Sequence, residues 1–216
     1  MDSRSESPGG RPAGALEDTA RLVLALAAER PPTLGATRLV SVDGPAGSGK
    51  STLASALAAL DEGAHVVHMD DLYDGWGGLG SISRQLSTLV RPLALGRAGF
   101  YRRYDWHRGE FAETVDVEPP PLLVLEGVGA GAAELTTMIT VLVWVSAPRE
   151  LRRQRGLARD GEALAPQWDG WMRQEDEHFA TQRTAERADV LVDGTGARSA
   201  ERMDRELPRD RRPERH

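Results

Sequence analysis

The sequence predicts an α/β fold of three layers, α/β/α, on a five-stranded, mostly parallel sheet, with a small antiparallel hairpin inserted into it and a short helical lid. Three observations lead there. Five short apolar runs, 38–43, 64–69, 122–127, 139–145 and 188–193, alternate with longer segments, several of them patterned as helices. That alternation builds a parallel sheet wound on both faces through right-handed crossovers. Residues 44–51 read GPAGSGKS, which fits G-x-x-x-x-G-K-[ST], and they stand between the first strand and a helix, where a phosphate-binding loop requires them. Finally, 216 residues are enough for one globular domain with a substantial core.

Each element has its own reason. Residues 1–14 are rich in Ser, Gly and Pro and read as a mobile tail. Leu16, Ala20, Leu22, Val23 and Leu26 place an apolar stripe on a helix over 15–29, closed by Pro31 and Pro32. Strand 38–43 is rich in apolar and β-branched residues, and Leu53, Leu57 and Leu60 share one face of the helix that leaves the loop. A second strand, 64–69, delivers Asp70 and Asp71 to the carboxyl edge of the sheet, where open α/β proteins bind ligands. Residues 82–95 start as a helix and are expected to break near Pro92. Aromatic and polar residues alternate around Gly109 over about 99–118, an antiparallel hairpin. Strands 122–127 and 139–145 follow, then a basic segment, 149–160, a helix over 166–185 and a last strand, 188–193. The domain is expected to span 15–196, with its lid at about 152–165, and the Arg/Glu/Asp-rich residues 197–216 read as a second tail.

Lys50 is the only lysine in a chain crowded with Ala, Gly and Arg. An ammonium is a compact charge on a thin stem and a guanidinium a wide fork, so a narrow phosphate cradle accepts the first and not the second. The glycines of the loop let backbone N–H groups approach phosphate oxygens, and the following helix adds the partial positive charge of its N-terminus. Leu122 to Leu125 followed by Glu126 is the Walker B arrangement, an acid reaching the magnesium shell at the end of a buried strand. The chain has no cysteine, which excludes disulfides and thiolate metal sites. No apolar run approaches membrane-spanning length, no apolar signal segment precedes the domain, and the net charge of -6 argues against general nucleic-acid binding. A cytoplasmic protein without membrane or nucleic-acid partners is the expectation, and assembly into a homo-oligomer stays open. Without asparagine, the guanine-reading motif of GTPases and the catalytic loop of protein kinases cannot be formed.

The ordered set GPAGSGKST, MDDLYD, RYDWHRGEF, VLEGV, RELRRQRGLARD and ADVLVDG, spread over 38–194, resembles the uridine kinase-like branch of P-loop nucleoside kinases, which includes pantothenate kinase and phosphoribulokinase. The resemblance implies transfer of the γ-phosphoryl group of ATP, with Mg2+, to a hydroxyl of a small molecule. It places the triphosphate on Gly44, Pro45, Ala46, Gly47, Ser48, Gly49, Lys50, Ser51 and Thr52, and the metal on Ser51 and Glu126. Asp70 falls on the family's general base and Tyr73 on the tyrosine of the same motif. Tyr104, Asp105 and His107 fall in the family's substrate hairpin. Arg152, Arg155 and Arg159 fall on lid arginines that close over the phosphates, and Asp193 begins the loop expected near adenine. One stretch departs from the family: GWGGLGSIS stands where uridine kinases carry Phe-Asp-His-Pro, whose acid holds the sugar hydroxyls. Trp76 in that stretch offers a flat face for a base.

Two alternatives remain at this level. Another acceptor, such as a nucleoside monophosphate, pantothenate or a sugar phosphate, would use Arg102 and Arg103 as a fork for its anion. An ATP-driven switch would need no acceptor, although the hairpin then has no evident purpose.

Overall fold

The computed structural model describes residues 13–203, so most of both expected tails lies outside the described residues. In chain order the elements are α1 (Ala13–Glu29), β1 (Arg38–Asp43), α2 (Lys50–Leu60), β2 (Ala64–His68), α3 (Ile82–Ala94), β3 (Gly99–Asp105), β4 (Glu110–Val117), β5 (Leu122–Glu126), β6 (Val141–Ser146), α4 (Arg149–Asp160), α5 (Ala165–Gln182), α6 (Thr184–Arg187), β7 (Val190–Asp193) and β8 (Glu201–Arg202). The main sheet runs β2-β5-β1-β6-β7-β8, and β3 pairs with β4 in a separate antiparallel hairpin. All pairings in the main sheet are parallel except that of β8 with β7.

Successive side chains of a strand point to opposite faces, and this alternation makes the layers. Leu39, Val67, Leu123 and Leu125 point to one side and bury Leu86, Leu89 and Leu93 of α3. Val40, Val42, Val124, Val143 and Val190 point to the other and bury Val23 and Leu26 of α1 with Leu53 and Leu57 of α2. Both layers are apolar because a parallel sheet is covered on both faces. The phosphate-binding loop lies between β1 and α2, at the carboxyl edge, and β2 and β5 end beside it.

Three expectations are corrected. The sheet has six strands rather than five, because residues assigned to the C-terminal tail return along its edge. Val190 and Leu191 pair with Arg202 and Glu201, and the Met203 N–H donates to the Asp189 carbonyl at 2.8 Å. A two-residue strand of Glu and Arg carries no alternation that a sequence reading could detect. The helix expected to break at Pro92 instead continues to Ala94. Proline there forfeits only its own N–H, and the end is closed by Leu95 N–H to Pro92 O and Gly96 N–H to Leu93 O, both 2.9 Å. The helix expected over 166–185 ends at Gln182, where Arg183 adopts φ 50° and a separate short helix begins.

Candidate active site

The phosphate-binding loop is held in shape by close backbone contacts. Gly44 has φ 141°, and a Cβ on it would lie 2.0 Å from the Val145 carbonyl oxygen. The Lys50 side chain is buried and its Nζ donates to the Pro45 carbonyl at 3.0 Å, folded back over the loop it serves. The N–H groups of Gly47 and Gly49 have no acceptor among the described residues, and Ser48 Oγ is buried without a partner. Unsatisfied donors around a single ammonium fit a polyphosphate, which supplies the missing acceptors.

Asp43, a residue not singled out from the sequence, ties this loop to the next. Its Oδ1 accepts from the N–H groups of Gly44 at 2.7 Å and Gly129 at 2.9 Å, and its Oδ2 from Gly131 at 2.9 Å. Burial pushes this carboxyl up to about 6, against the pull of the three N–H groups and Lys50. Between the ordinary carboxylate value and about pH 6 the folded chain therefore holds more of this proton than the unfolded chain does. The Asp43 contribution to stability is greatest in acid and falls as pH rises through that window. We expect the stability of wild type relative to Asp43→Asn to drop by about 2 kcal/mol between pH 4 and 6.5. Urea unfolding across that range measures it, and a flat difference would mean that folding leaves the proton affinity of this carboxyl unchanged.

A buried ion pair lies behind the loop. Arg152 of α4 donates from Nη1 to Glu175 Oε1 of α5 at 2.5 Å, with side-chain exposures of 6% and 0%. Glu175 Oε2 accepts the Ala46 N–H at 2.8 Å, and Arg152 Nη1 also reaches the Ala46 carbonyl at 3.3 Å. Arg152, expected on the triphosphate, is thus placed behind the loop rather than in the cavity. There it braces the loop through Ala46.

Glu126, expected at the metal, stands on β5 next to a residue of the adjacent strand β2. His68 of β2 and Glu126 of β5 are register partners, so their side chains stand next to one another, with His68 Nδ1 2.5 Å from Glu126 Oε1. Burial pushes the Glu126 carboxyl up, but the bond to His68, the Lys50 charge and a hydrogen bond from Ser51 outweigh it and hold the group below its usual value. The same bond to Glu126 raises the His68 imidazole. Ser51 and an ionised Glu126 side by side are the hard oxygen donors that magnesium takes when phosphates and water complete its shell.

Asp70 follows β2 in a 3-10 turn and opens onto a cavity of about 970 Å³ shared with Lys50, Ser51 and Glu126. Its carboxyl is accessible from the cavity, yet protein crowds it elsewhere. Burial raises it above the ordinary aspartate value, with Lys50 and Arg159 pulling the other way and Glu126 adding to the rise. Tyr73 is buried at the cavity wall, donating from its hydroxyl to the Val128 carbonyl at 2.6 Å and meeting Trp171 edge-on. Arg155 reaches the carbonyls of Gly47 and Gly194, both at 3.2 Å, while Arg159 holds Asp160 at 2.7 and 3.0 Å. Both arginines line the cavity, as do Gly194 and Thr195. Asp193 does not line it and bonds Thr195 from beneath, at 2.9 Å to its N–H and 2.7 Å to its hydroxyl.

The hairpin presents a different set of residues from the one expected. His107 lines the cavity, but Tyr104 and Asp105 do not. Asp105 Oδ1 accepts the N–H groups of His107 at 2.9 Å and Arg108 at 3.0 Å, an Asx turn that shapes the hairpin tip. Tyr104 packs edge-on between Trp106 and Phe111. Trp106 instead enters the cavity, its indole N–H donating to the Asp70 carbonyl at 2.9 Å. Four of the five tryptophans, Trp76, Trp106, Trp168 and Trp171, line this one cavity. Trp168 gets there because Gly156 gives it room: a Cβ on Gly156 would lie 2.3 Å from its ring.

The chain has the three-layer α/β/α fold of the P-loop kinases, with the β3-β4 hairpin set apart from the main sheet. Among solved structures it is similar to one described as a possible uridine kinase from Bacillus stearothermophilus, at 22% identity over 83% of this chain and 98% of that one, TM-score 0.55. It is also similar to a protein assigned as a fructose transport system kinase from Silicibacter sp. TM1040, at 23% identity over 80% and 94% of the two chains, TM-score 0.53. A third is D-glycerate 3-kinase from Cryptococcus neoformans, at 15% identity over 89% and 100%, TM-score 0.56. No protein-family model and no curated protein sequence matches the chain.

Proposed function

We propose that the chain is an ATP-dependent kinase that phosphorylates a hydroxyl of a small molecule, and that this molecule is a nucleoside. The observation that carries the reading is the convergence of Lys50, Ser51, Glu126 and Asp70 on one cavity, with Lys50 close enough to Asp70 for its charge to oppose the rise that burial causes. A nucleotide-driven switch needs the first three residues but has no use for a carboxylate next to an aromatic recess. Lys50 and the loop N–H groups would hold the β and γ phosphates, Arg155 and Arg159 would neutralise the transferred group, and Ser51 and Glu126 would hold magnesium. When bound, the metal would supply charge neutralisation to the phosphates.

Asp70 accepts the proton of the acceptor hydroxyl as that oxygen forms its bond to the γ phosphorus, and the bond from the γ phosphorus to the bridging oxygen breaks to leave ADP. The raised Asp70 value makes the carboxylate a better proton acceptor than an ordinary aspartate. The aromatic lining favours a base as the other half of the acceptor, in agreement with the solved structure described as a possible uridine kinase. A reaction that draws on ATP is compatible with the cytoplasmic location expected from the sequence. The test is ADP release from Mg-ATP across uridine, cytidine, adenosine, pantothenate, fructose and D-glycerate. Stimulation by a nucleoside supports the reading, and ADP release indifferent to every acceptor would overturn it.

A further inference from the structure

Resting on the kinase reading, we infer that the acceptor side of the cavity selects a flat, uncharged molecule, with its ring against Trp76, Trp106 and Trp168 and a second polar group, next to the reacting hydroxyl, held by Asp71. Asp71 lines the cavity beside Asp70, and its carboxylate has no hydrogen-bond or ion-pair partner among the described residues. Two neighbouring carboxylates accept hydrogen bonds from hydroxyls and repel a phosphate or carboxylate brought between them.

The cations that could rescue an anionic acceptor are committed elsewhere. Lys50, Arg155 and Arg159, which line the cavity, are taken on the kinase reading by the phosphates of the donor. On the hairpin, Arg103 pairs with Glu113 and Arg108 with Glu110, while Arg102 lies 5.0 Å over the Phe111 ring. None of these three hairpin arginines lines the cavity. The fork of Arg102 and Arg103 expected for an acceptor phosphate is therefore not formed. The wall itself is continuous: Trp76 meets Trp106 at 5.5 Å and Trp168 at 6.1 Å between ring centroids, both edge-to-face. Such a surface gains from a planar ring and gives little to an open-chain polyol.

The same tryptophans report binding without turnover. Intrinsic fluorescence of the full chain, titrated with uridine, cytidine, adenosine, their 5′-monophosphates, ribose and D-glycerate and corrected against free tryptophan, measures affinity directly. We expect saturable quenching by at least one nucleoside, with its monophosphate at least about tenfold weaker. Asp71→Asn should weaken the nucleoside about tenfold, the loss of one hydrogen bond to a charged group, and narrow the gap to the monophosphate. Trp76→Leu should weaken nucleosides and leave ADP binding as in wild type. Equal affinity for the monophosphate or D-glycerate, competition by ribose at nucleoside concentrations, an Asp71→Asn variant with the gap intact, or no quenching at all would each overturn the inference. ADP release is read in parallel: nucleosides that bind without stimulating it would overturn the kinase reading and leave the selectivity standing.

Discussion

Asp70→Asn is expected to bind Mg-ATP as wild type does and to lose phosphoryl transfer by about 10²- to 10⁴-fold, the range for removal of a positioned general base. The amide keeps the size of the carboxyl and one acceptor oxygen, so the cavity and the bond from Trp106 to the Asp70 carbonyl stay in place. Only the capacity to take a proton goes. A coupled assay of ADP release beside calorimetric ATP binding separates the two effects, and turnover within threefold of wild type would remove Asp70 from the mechanism. Lys50→Ala is the complementary case. Its loss should fall on both ATP affinity and transfer, because on the proposed reading the ammonium would contact the phosphates in the ground state as well as the transition state.

The largest effect on stability is expected at Glu175. Glu175→Leu leaves the Arg152 guanidinium buried without its anion and the Ala46 N–H without its acceptor. Breaking a buried pair from one side costs about 3–5 kcal/mol, or roughly a 10 °C fall in melting temperature for a domain of this size. Removing both charges in Arg152→Leu/Glu175→Leu should recover much of that loss, since the uncompensated charge goes with the second substitution. Urea unfolding of the three variants decides the matter. If the double variant were less stable than Glu175→Leu, the pair would be worth more than its desolvation. The double variant should still have a raised KM for ATP, because nothing then braces Ala46.

What the sequence makes legible is local. The phosphate-binding loop, its strand and its helix are contiguous, and the sequence pattern and backbone geometry agree residue by residue. Asp70, Glu126 and the hairpin are legible as positions at strand ends. Less legible is everything set by register or by pairing at a distance. His68 and Glu126 are 58 residues apart and meet only because β2 and β5 pair in one register. Arg152 is one of several arginines in a basic helix, and its inward direction depends on Glu175. A signal for that partner did exist: Trp168, Trp171, Met172 and Glu175 share the i, i+3, i+4, i+7 stripe of α5, and an acid on an apolar stripe calls for a buried partner. Asp43 gives a weaker signal, since an acid ending a strand before a glycine turn usually faces water. The hairpin misled for another reason. Tyr104 and Trp106 are both aromatic, and which of them turns inward depends on the irregular register between Arg102 and Tyr104.

The solitary lysine has a practical side. Lys50 is 7% exposed and is the only side-chain amine in the chain. A lysine-specific protease therefore has one site, the bond between Lys50 and Ser51, and it can be reached only when the loop and the start of α2 open. Cleavage into fragments 1–50 and 51–216 would clock that opening with no background from elsewhere, and its slowing by nucleotide would report occupancy at the residue proposed to hold the phosphates.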